Sequence, residues 1–136
     1  MKKVLFTLLF TVAFAYAGAY TKADRIKDMK QMAEAMGTIQ NGFFYNNYDT
    51  VAKGVNQLSN AAERVKPPME EANEKNPMAR YMDEKVKMTN KIVKKIDQKA
   101  LTILQRFKSG DSAQAVQAYT KIVGQCIKCH REIRHW

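Results

Sequence analysis

The sequence is poor in cysteine, proline and glycine. Only two cysteines occur in 136 residues, too few for the disulfide-dense scaffolds of small secreted domains. Six glycines and three prolines exclude collagen-like, linker-like and generally disordered chains. Acidic side chains are also scarce, since 13 stand against 23 Lys and Arg and the formal net charge is +10. The length and the 46% hydrophobic content fit one domain with a sizeable core.

Several chemical signatures are missing as well. No stretch alternates apolar and polar residues as a half-buried strand does, so an all-α protein is expected. No paired carboxylates, nucleophile set or phosphate-cradling loop appears, so we expect no hydrolytic or transferase chemistry and no enzyme. Nucleic acid binding is disfavoured because no recognised binding module is present.

Long apolar runs are confined to the N-terminus. Lys2 and Lys3 precede an uncharged stretch from Val4 to Ala19, whose 16 residues fall short of a bilayer-spanning helix. The Ala15-Tyr16-Ala17 step has the small-residue pattern of a cleavage site. The sequence thus predicts a signal peptide over residues 1–17, export to the periplasm, and a mature domain over residues 18–136 without stable membrane insertion. An uncleaved membrane anchor is the alternative.

Four amphipathic segments follow the N-terminal region. From Thr21 onward apolar residues recur at intervals of three and four, which places them on one face of a helix. The predicted seams are Ile26, Met29, Ala33, Met36, Gln40 and Phe43; Val51, Val55, Leu58, Ala62 and Val65; Met82, Val86, Thr89, Val93, Ile96, Ala100, Ile103 and Phe107; and Val116, Tyr119, Val123, Cys126, His130 and Ile133. Because the connections are short, we expect an up-down-up-down antiparallel four-helix bundle.

Capping and breaking residues mark the helix boundaries. Asp49 is predicted to cap the second helix, and Asn76-Pro77 to open the third. Gly110 is predicted to end the third helix, and Asp111 to cap the fourth with Gln114 completing a capping box. The aromatic side chains at the first turn are expected to close the far end of the core; they are Phe43, Phe44, Tyr45 and Tyr48.

The last predicted helix carries the one motif with a specific chemistry. Cys126-Ile127-Lys128-Cys129-His130 is C-x-x-C-H, the attachment signature of c-type haem. Cys126 and Cys129 share a helix face, so their thiols can form thioethers with the two vinyl groups of a porphyrin. His130 follows Cys126 by four residues on that face and is placed to be the proximal iron ligand. We therefore expect one covalent haem c per chain.

Three other roles for the cysteine pair are alternatives to haem attachment. A thioredoxin-like C-x-x-C normally opens a helix after a strand, whereas this one closes the last helix. A zinc site from Cys126, Cys129, His130 and His135 requires tetrahedral convergence, but adjacent residues on a helix point about 100° apart. A disulfide between Cys126 and Cys129 is strained within a helix.

The bundle geometry singles out Met29 as the sixth ligand of the iron. Met29 lies about seven residues, or roughly 10 Å, into its helix, and His130 roughly 8 Å before the end of the antiparallel last helix. The two are nearly level across a gap that haem could fill. Met32 and Met36 are less well placed, and simple core packing is the alternative role of Met29. Arg25, one turn nearer the open end, is placed to pair with haem propionates.

The two ends of the chain resemble the cytochrome c-prime and cytochrome c-556 family, the class II c-type cytochromes. Cys126, Cys129, His130 and Arg134 are similar to the family's C-x-x-C-H-x-x-x-R. Arg25, Met29 and Gly37 are similar to its step of an arginine followed four residues later by Leu or Met, with a glycine eight residues after that. The resemblance implies Arg25 near the propionates, Met29 on the distal side and Arg134 near the proximal face. It also implies a homodimer through the first two helices.

Three functions follow from these expectations. A six-coordinate iron between His130 and Met29 suits a one-electron carrier, because the thioether raises the potential and ligands rearrange little. If Met29 only packs, a five-coordinate iron binds nitric oxide or carbon monoxide. A haem-free helical binding protein is the third. Lysines on the third helix form either a solvated face or a docking surface for an acidic redox partner; they are Lys85, Lys87, Lys91, Lys94, Lys95 and Lys99.

Overall fold

The computed structural model describes residues 20–65 and 77–134, and within them the chain is all-helical, with no strand. The four helices are α1 (Lys22–Phe44), α2 (Tyr48–Val65), α3 (Pro77–Lys108) and α4 (Ser112–Arg134). The all-α prediction and the helix count are confirmed for this part of the chain. The predicted signal peptide and the loop between α2 and α3 lie outside the described residues.

The first two helices begin at side-chain caps. The Thr21 hydroxyl accepts a hydrogen bond from the backbone N–H of Asp24 at 3.1 Å, and the Thr21 N–H donates to the Asp24 carboxylate at 2.9 Å. The Thr21 bonds lower the pKa of Asp24. At α2 the prediction of Asp49 as the cap was wrong, because Asn47 Oδ1 accepts from the Thr50 N–H at 2.9 Å. Asp49 instead lies in the first turn.

Both ends of α3 and the start of α4 lie where the capping and breaking residues of the sequence predict them. Pro77 occupies the first position of α3, where a missing N–H leaves no helical hydrogen bond unmade. Gly110 adopts a φ of 80°, the left-handed conformation that ends a helix. Asp111 Oδ1 accepts from the Gln114 N–H at 3.1 Å, so the predicted cap is confirmed. The Asp111 N–H donates to the Arg106 carbonyl at 2.9 Å. A backbone bond thus replaces the second bond of the predicted capping box, which the Gln114 side chain was expected to accept.

The helices pack in chain order. α1 lies on α2, α2 on α3 and α3 on α4, while the described parts of α1 and α4 make at most marginal contact. The largest fully buried side chains are Ile39, Leu58, Ile96, Ile103, Ile122 and Val51. The backbones of α1 and α4 therefore stay apart along an open side of the bundle, which is closed near the end of α1 by the contact of the Phe43 and Tyr119 rings. None of these helices is long and apolar enough to cross a bilayer.

The buried face of α1 differs from the predicted one. The buried positions are Asp28, Ala35, Ile39 and Gly42. Three positions of the predicted seam, Ile26, Ala33 and Gln40, are exposed. The cause is the gap between α1 and α4. Because α1 packs on α2, it buries the face that meets α2 and leaves partly uncovered the face that points toward α4.

Close backbone approach brings α1 and α2 together. A Cβ added at Gly54 of α2 would lie 2.8 Å from the backbone N of Ile39 and 2.7 Å from its Cγ1. Such distances leave no room for a side chain, so only glycine fits. The tight crossing fixes the C-terminal half of α1 against α2.

The aromatic prediction holds for one residue of four. The Phe43 ring lies 5.3 Å from the Phe107 ring and 5.8 Å, edge-on, from the Tyr119 ring. Phe44 and Tyr45 are 74% and 80% exposed, and Tyr48 is exposed as well. Only Phe43 therefore closes the core, because the α1–α2 turn directs the other three rings to solvent.

Candidate functional site

An apolar cavity of about 240 Å³ lies inside the bundle. All four helices contribute to its wall, which is formed by Met29, Met32, Ala33, Met36, Ala62, Val65, Thr89, Ile92, Val93, Ile96, Tyr119, Val123, Cys126, Cys129 and His130. Of these residues only Ala33 on α1 and Val123 on α4 are exposed. The mouth of the cavity is therefore at the open seam between α1 and α4. At about 240 Å³ the enclosed space is slightly smaller than the roughly 300–1,000 Å³ typical of small-molecule and cofactor sites, and it opens to solvent at this mouth.

The C-x-x-C-H residues form the α4 wall of this cavity. Cys126, Cys129 and His130 are half-buried, and both cysteines pack against the hydrophobic core. The two sulfurs are not joined in a disulfide. Burial raises the pKa of the Cys126 thiol above its usual value, and the neighbouring Cys129 adds to the shift. The thiols of Cys126 and Cys129 and the His130 imidazole thus share one apolar space.

The opposite wall belongs to α1. Met29 lines the cavity together with Met32, Ala33 and Met36, and Met29 is half-buried. Its thioether is a soft donor of the kind that binds haem iron in cytochromes. The structure thereby brings Met29 to the same cavity as His130. Iron coordination by Met29 stays a prediction.

The two arginines of the predicted site are placed differently. Arg25 is exposed at the start of α1, where its guanidinium carbon lies 5.8 Å from the centroid of the Tyr20 ring. Arg25 is not part of the cavity wall. Arg134 ends α4, and its side chain lies outside the described part of the structure. The propionate role of Arg25 and the proximal role of Arg134 stay predictions.

Two polar groups in the wall leave its surface apolar. Thr89 is buried, and its hydroxyl donates to the Lys85 carbonyl of its own helix at 2.8 Å. Tyr119 lies at the edge of the aromatic cluster of Phe43 and Phe107, and burial raises the pKa of its phenol. The sequence pattern had already placed Thr89 and Tyr119 on inward seams. Because the Thr89 hydroxyl is bonded to its own helix, little polar surface faces the cavity.

A buried polar network behind Met29 was not foreseen. Asp28 is 4% exposed, and its carboxylate accepts from the Arg64 Nε at 2.7 Å and from the Tyr20 hydroxyl at 2.8 Å. Burial, together with the hydrogen bond to Asp28, raises the pKa of Tyr20 to about 12. These groups line a polar depression of about 820 Å³ on the α1–α2 face. The depression holds none of the motif residues, and its buried carboxylate is already paired.

A lysine joins α3 to the end of α4 near the motif. Lys85 Nζ donates to the Glu132 carbonyl at 3.0 Å and lies 3.9 Å from the Glu132 carboxylate. A cation at the C-terminus of a helix satisfies an unpaired carbonyl and favours the helix dipole. The contact ties the turn that follows His130 to α3.

Positive charge is concentrated on one half of the bundle. The helices α3 and α4 carry thirteen basic and four acidic residues, whereas α1 and α2 carry six and five. Among the α3 lysines of the predicted docking surface, Lys87, Lys91, Lys94 and Lys95 are exposed, while Lys85 and Lys99 are half-buried. The net positive charge therefore lies mainly on α3 and on α4, the helix that carries the C-x-x-C-H motif.

The donor set fits a covalently attached haem. Two thiols one helical turn apart could form the two thioether attachments, imidazole and thioether side chains are among the groups that bind haem iron in proteins, and the cavity wall is apolar. Within residues 20–65 and 77–134 no group of three or more His, Cys, Asp or Glu side chains could hold a metal ion directly. The zinc reading is not supported by the described residues, and its fourth ligand, His135, lies outside them.

No family model, curated protein or solved structure matches this chain. Function is therefore inferred from the residues and their placement.

Proposed function

We propose that this protein is an exported c-type cytochrome that carries one electron through a single covalent haem. The observation that supports it is the meeting of Cys126, Cys129 and His130 with Met29 in one apolar cavity. The cavity opens where the backbones of α1 and α4 stay apart, which is where a bundle without a resident group would close its core. The C-x-x-C-H residues at the end of α4 and the helical fold together favour the class II family.

The chain's own residues would each have a defined task. The Cys126 and Cys129 thiols would add across the two vinyl groups, with each S–H supplying the sulfur and the hydrogen of one addition. His130 would hold the iron from the α4 side and Met29 from the α1 side. When bound, haem supplies an iron that exchanges one electron with a partner. The apolar wall would exclude water and so help set the reduction potential.

The lysines of α3 would guide the redox partner. Thr89, Ile92, Val93 and Ile96 of α3 line the cavity, and Lys87, Lys91, Lys94 and Lys95 are exposed on the same helix. A partner at this face would lie about one helix diameter, roughly 10 Å, from the haem. Lysines without interleaved aromatic residues suit transient electrostatic docking of an acidic protein better than nucleic acid binding.

A second function is binding of nitric oxide or carbon monoxide. It is favoured by one observation, that Met29 is one of three methionines in the wall together with Met32 and Met36. Methionine is a common filler of apolar space, so Met29 would then pack beside a five-coordinate iron. The gas would bind on the α1 side of the haem, where the apolar wall favours a small neutral ligand.

Mass spectrometry of native protein tests the haem. The full chain is expressed in a host that attaches c-type haem, and the intact mass and the C-terminal peptide are measured. We expect one haem per chain on a peptide that contains Cys126 and Cys129. Cys126→Ala and Cys129→Ala should each lose one thioether, and Lys128→Ala, within the same motif, should retain both. A bare polypeptide mass would contradict both haem functions and leave the haem-free binding protein.

Spectra of the ferric and ferrous protein separate the two haem functions. A low-spin ferric iron with a methionine-to-iron charge-transfer band supports the electron carrier. A high-spin ferric iron whose ferrous form binds carbon monoxide readily supports the gas-binding function.

A further inference from the structure

We propose that the ion pair between Asp28 and Arg64 positions Met29 over the cavity and so determines how closely its thioether approaches the haem iron. Asp28 and Arg64 are thereby positioning residues, because they act through Met29. The inference rests on the proposed function, since it concerns the distal side of the same haem site.

The pair is part of a well-satisfied network. The side chain of Asp28 is 6% exposed, and one oxygen accepts from the Arg64 Nε at 2.7 Å while the other accepts from the Tyr20 hydroxyl at 2.8 Å. The same guanidinium donates to the Asn60 carbonyl at 3.0 Å and to the Gln31 side chain. Arg64 therefore links two turns of α1 to the last turn of α2.

The network lies directly behind the cavity wall. Asp28 precedes Met29 in α1, and Arg64 precedes Val65 in α2. Met29, Val65 and Ala62 all line the cavity. A shift of α1 against α2 at the ion pair would thus move Met29 relative to the rest of the wall.

The N-terminal half of α1 has little else to hold it. Among its residues 22–34 the one buried side chain that the structure describes is Asp28, whereas Ala35 and Ile39 are buried further along. The close approach at Gly54 also engages Ile39 and the Ala35 carbonyl, in the C-terminal half of the helix. On the other side α4 makes at most marginal contact with the described part of α1. The turn that carries Met29 is consequently anchored chiefly by the polar network, while Met32 is the one described side chain among residues 22–34 that packs, partly buried, against the hydrophobic core.

The test compares haem-loaded variants of the pair. Arg64→Met and Asp28→Asn remove the ion pair, and Arg64→Lys keeps the charge but loses the fork that bonds several partners at once. Arg106→Met is the matched control, because Arg106 lies 3.7 Å from Asp111 in an exposed pair. Covalent haem content is measured first, followed by the spin state of the ferric protein, the rate of carbon monoxide binding to the ferrous protein, and amide hydrogen exchange over residues 22–34.

The measurement that responds depends on the spin state of the unmodified ferric protein, but in both cases loss of the ion pair should weaken the approach of Met29 to the iron. If that protein is low-spin, Arg64→Met and Asp28→Asn lower the low-spin to high-spin ratio by about tenfold, a factor that equals roughly 1.4 kcal/mol. If it is high-spin, they raise the rate of carbon monoxide binding, since Met29 no longer covers the iron. In both cases amide exchange over residues 22–34 becomes faster, Arg64→Lys gives an intermediate effect, and Arg106→Met changes nothing.

Two results would overturn the inference in distinguishable ways. Haem-loaded variants with unchanged spin state and carbon monoxide rate, even at lower thermal stability, would show that the pair is structural and would leave the proposed function intact. Absence of covalent haem from the unmodified protein would reject the proposed function and this inference with it.

Discussion

Met29 on α1 and His130 on α4 line the same apolar cavity, although the backbones of their two helices make at most marginal contact. In most helical bundles side chains of neighbouring helices interdigitate and fill such a space. Here the space is bordered by an imidazole, a thioether and two thiols. The gap between α1 and α4 and the donors that face it are therefore features of one site.

Removal of the Met29 thioether should lower the reduction potential. In a His130/Met29 site Met29→Ala replaces a ligand that favours ferrous iron, so a fall on the order of 100 mV is expected, well within the range that axial ligands span. The measurement is a spectroelectrochemical titration of the haem-loaded protein. Met88→Ala is the control, because Met88 packs against the core but is not part of the cavity wall. Equal potentials for the two variants would support a packing role for Met29.

Two glycine substitutions should have opposite effects on stability. A Cβ at Gly54 would meet Ile39, so Gly54→Ala should destabilise the fold by about 1–3 kcal/mol through overpacking. Gly124 has nothing within 4 Å of its added Cβ and lies inside α4, so Gly124→Ala should stabilise by about 0.5–1 kcal/mol. Urea unfolding of both variants gives the two free energies. A stabilising Gly54→Ala would mean that α1 and α2 do not approach as closely as described.

Reversal of charge on α3 should slow electron transfer to an acidic partner. Lys91→Glu combined with Lys94→Glu should lower the second-order rate roughly tenfold at low salt, because positive potential accelerates encounter. The difference should shrink as salt is added. A plant-type ferredoxin, with its acidic surface, serves as the probe in stopped-flow measurements. Lys53→Glu on α2 is the control, and an equal effect from it would assign the attraction to net charge and not to the α3 face.

The phenol of Tyr20 should lose its proton at a higher pH than an ordinary tyrosine. Its pKa is raised from 10.0 to about 12 by burial and by the hydrogen bond to Asp28. A raised pKa means that the neutral phenol stabilises the fold below the ordinary pKa, and that this contribution is lost as the pH rises through about 12. Ultraviolet difference titration should show a late step that Tyr20→Phe removes and that Asp28→Asn moves to lower pH. A titration without any late step would contradict the Tyr20–Asp28 bond.

Local signals in the sequence account for most of the helix boundaries. The spacing of apolar residues predicts four helices because burial of one face repeats every three or four residues. Pro77, Gly110 and Asp111 fix their boundaries through backbone chemistry that needs no distant partner. Asn47 and Asp49 are both good caps, and the choice of Asn47 depends on how the α1–α2 turn closes.

Features that depend on residues far apart in the sequence could not be predicted from local patterns. Which face of α1 is buried depends on the weak contact with α4, so the predicted seam through Ile26 and Gln40 was misplaced. Exposure of Phe44 and Tyr45 likewise follows from the direction of a turn and not from their hydrophobicity. The pairing of Asp28 with Arg64 joins residues 36 positions apart, and no local pattern encodes it. The C-x-x-C-H motif was recognisable because its spacing is local, whereas the cavity it faces is tertiary.

The open seam has a consequence for how the protein matures. α1 with α2 and α3 with α4 form two hairpins that are joined to each other along α2 and α3. A flat, bulky molecule could therefore enter sideways between the two formed hairpins without unfolding either of them. If the proposed haem is attached, its insertion would be a step separate from hairpin formation, and it would fill the space that the two hairpins leave between them.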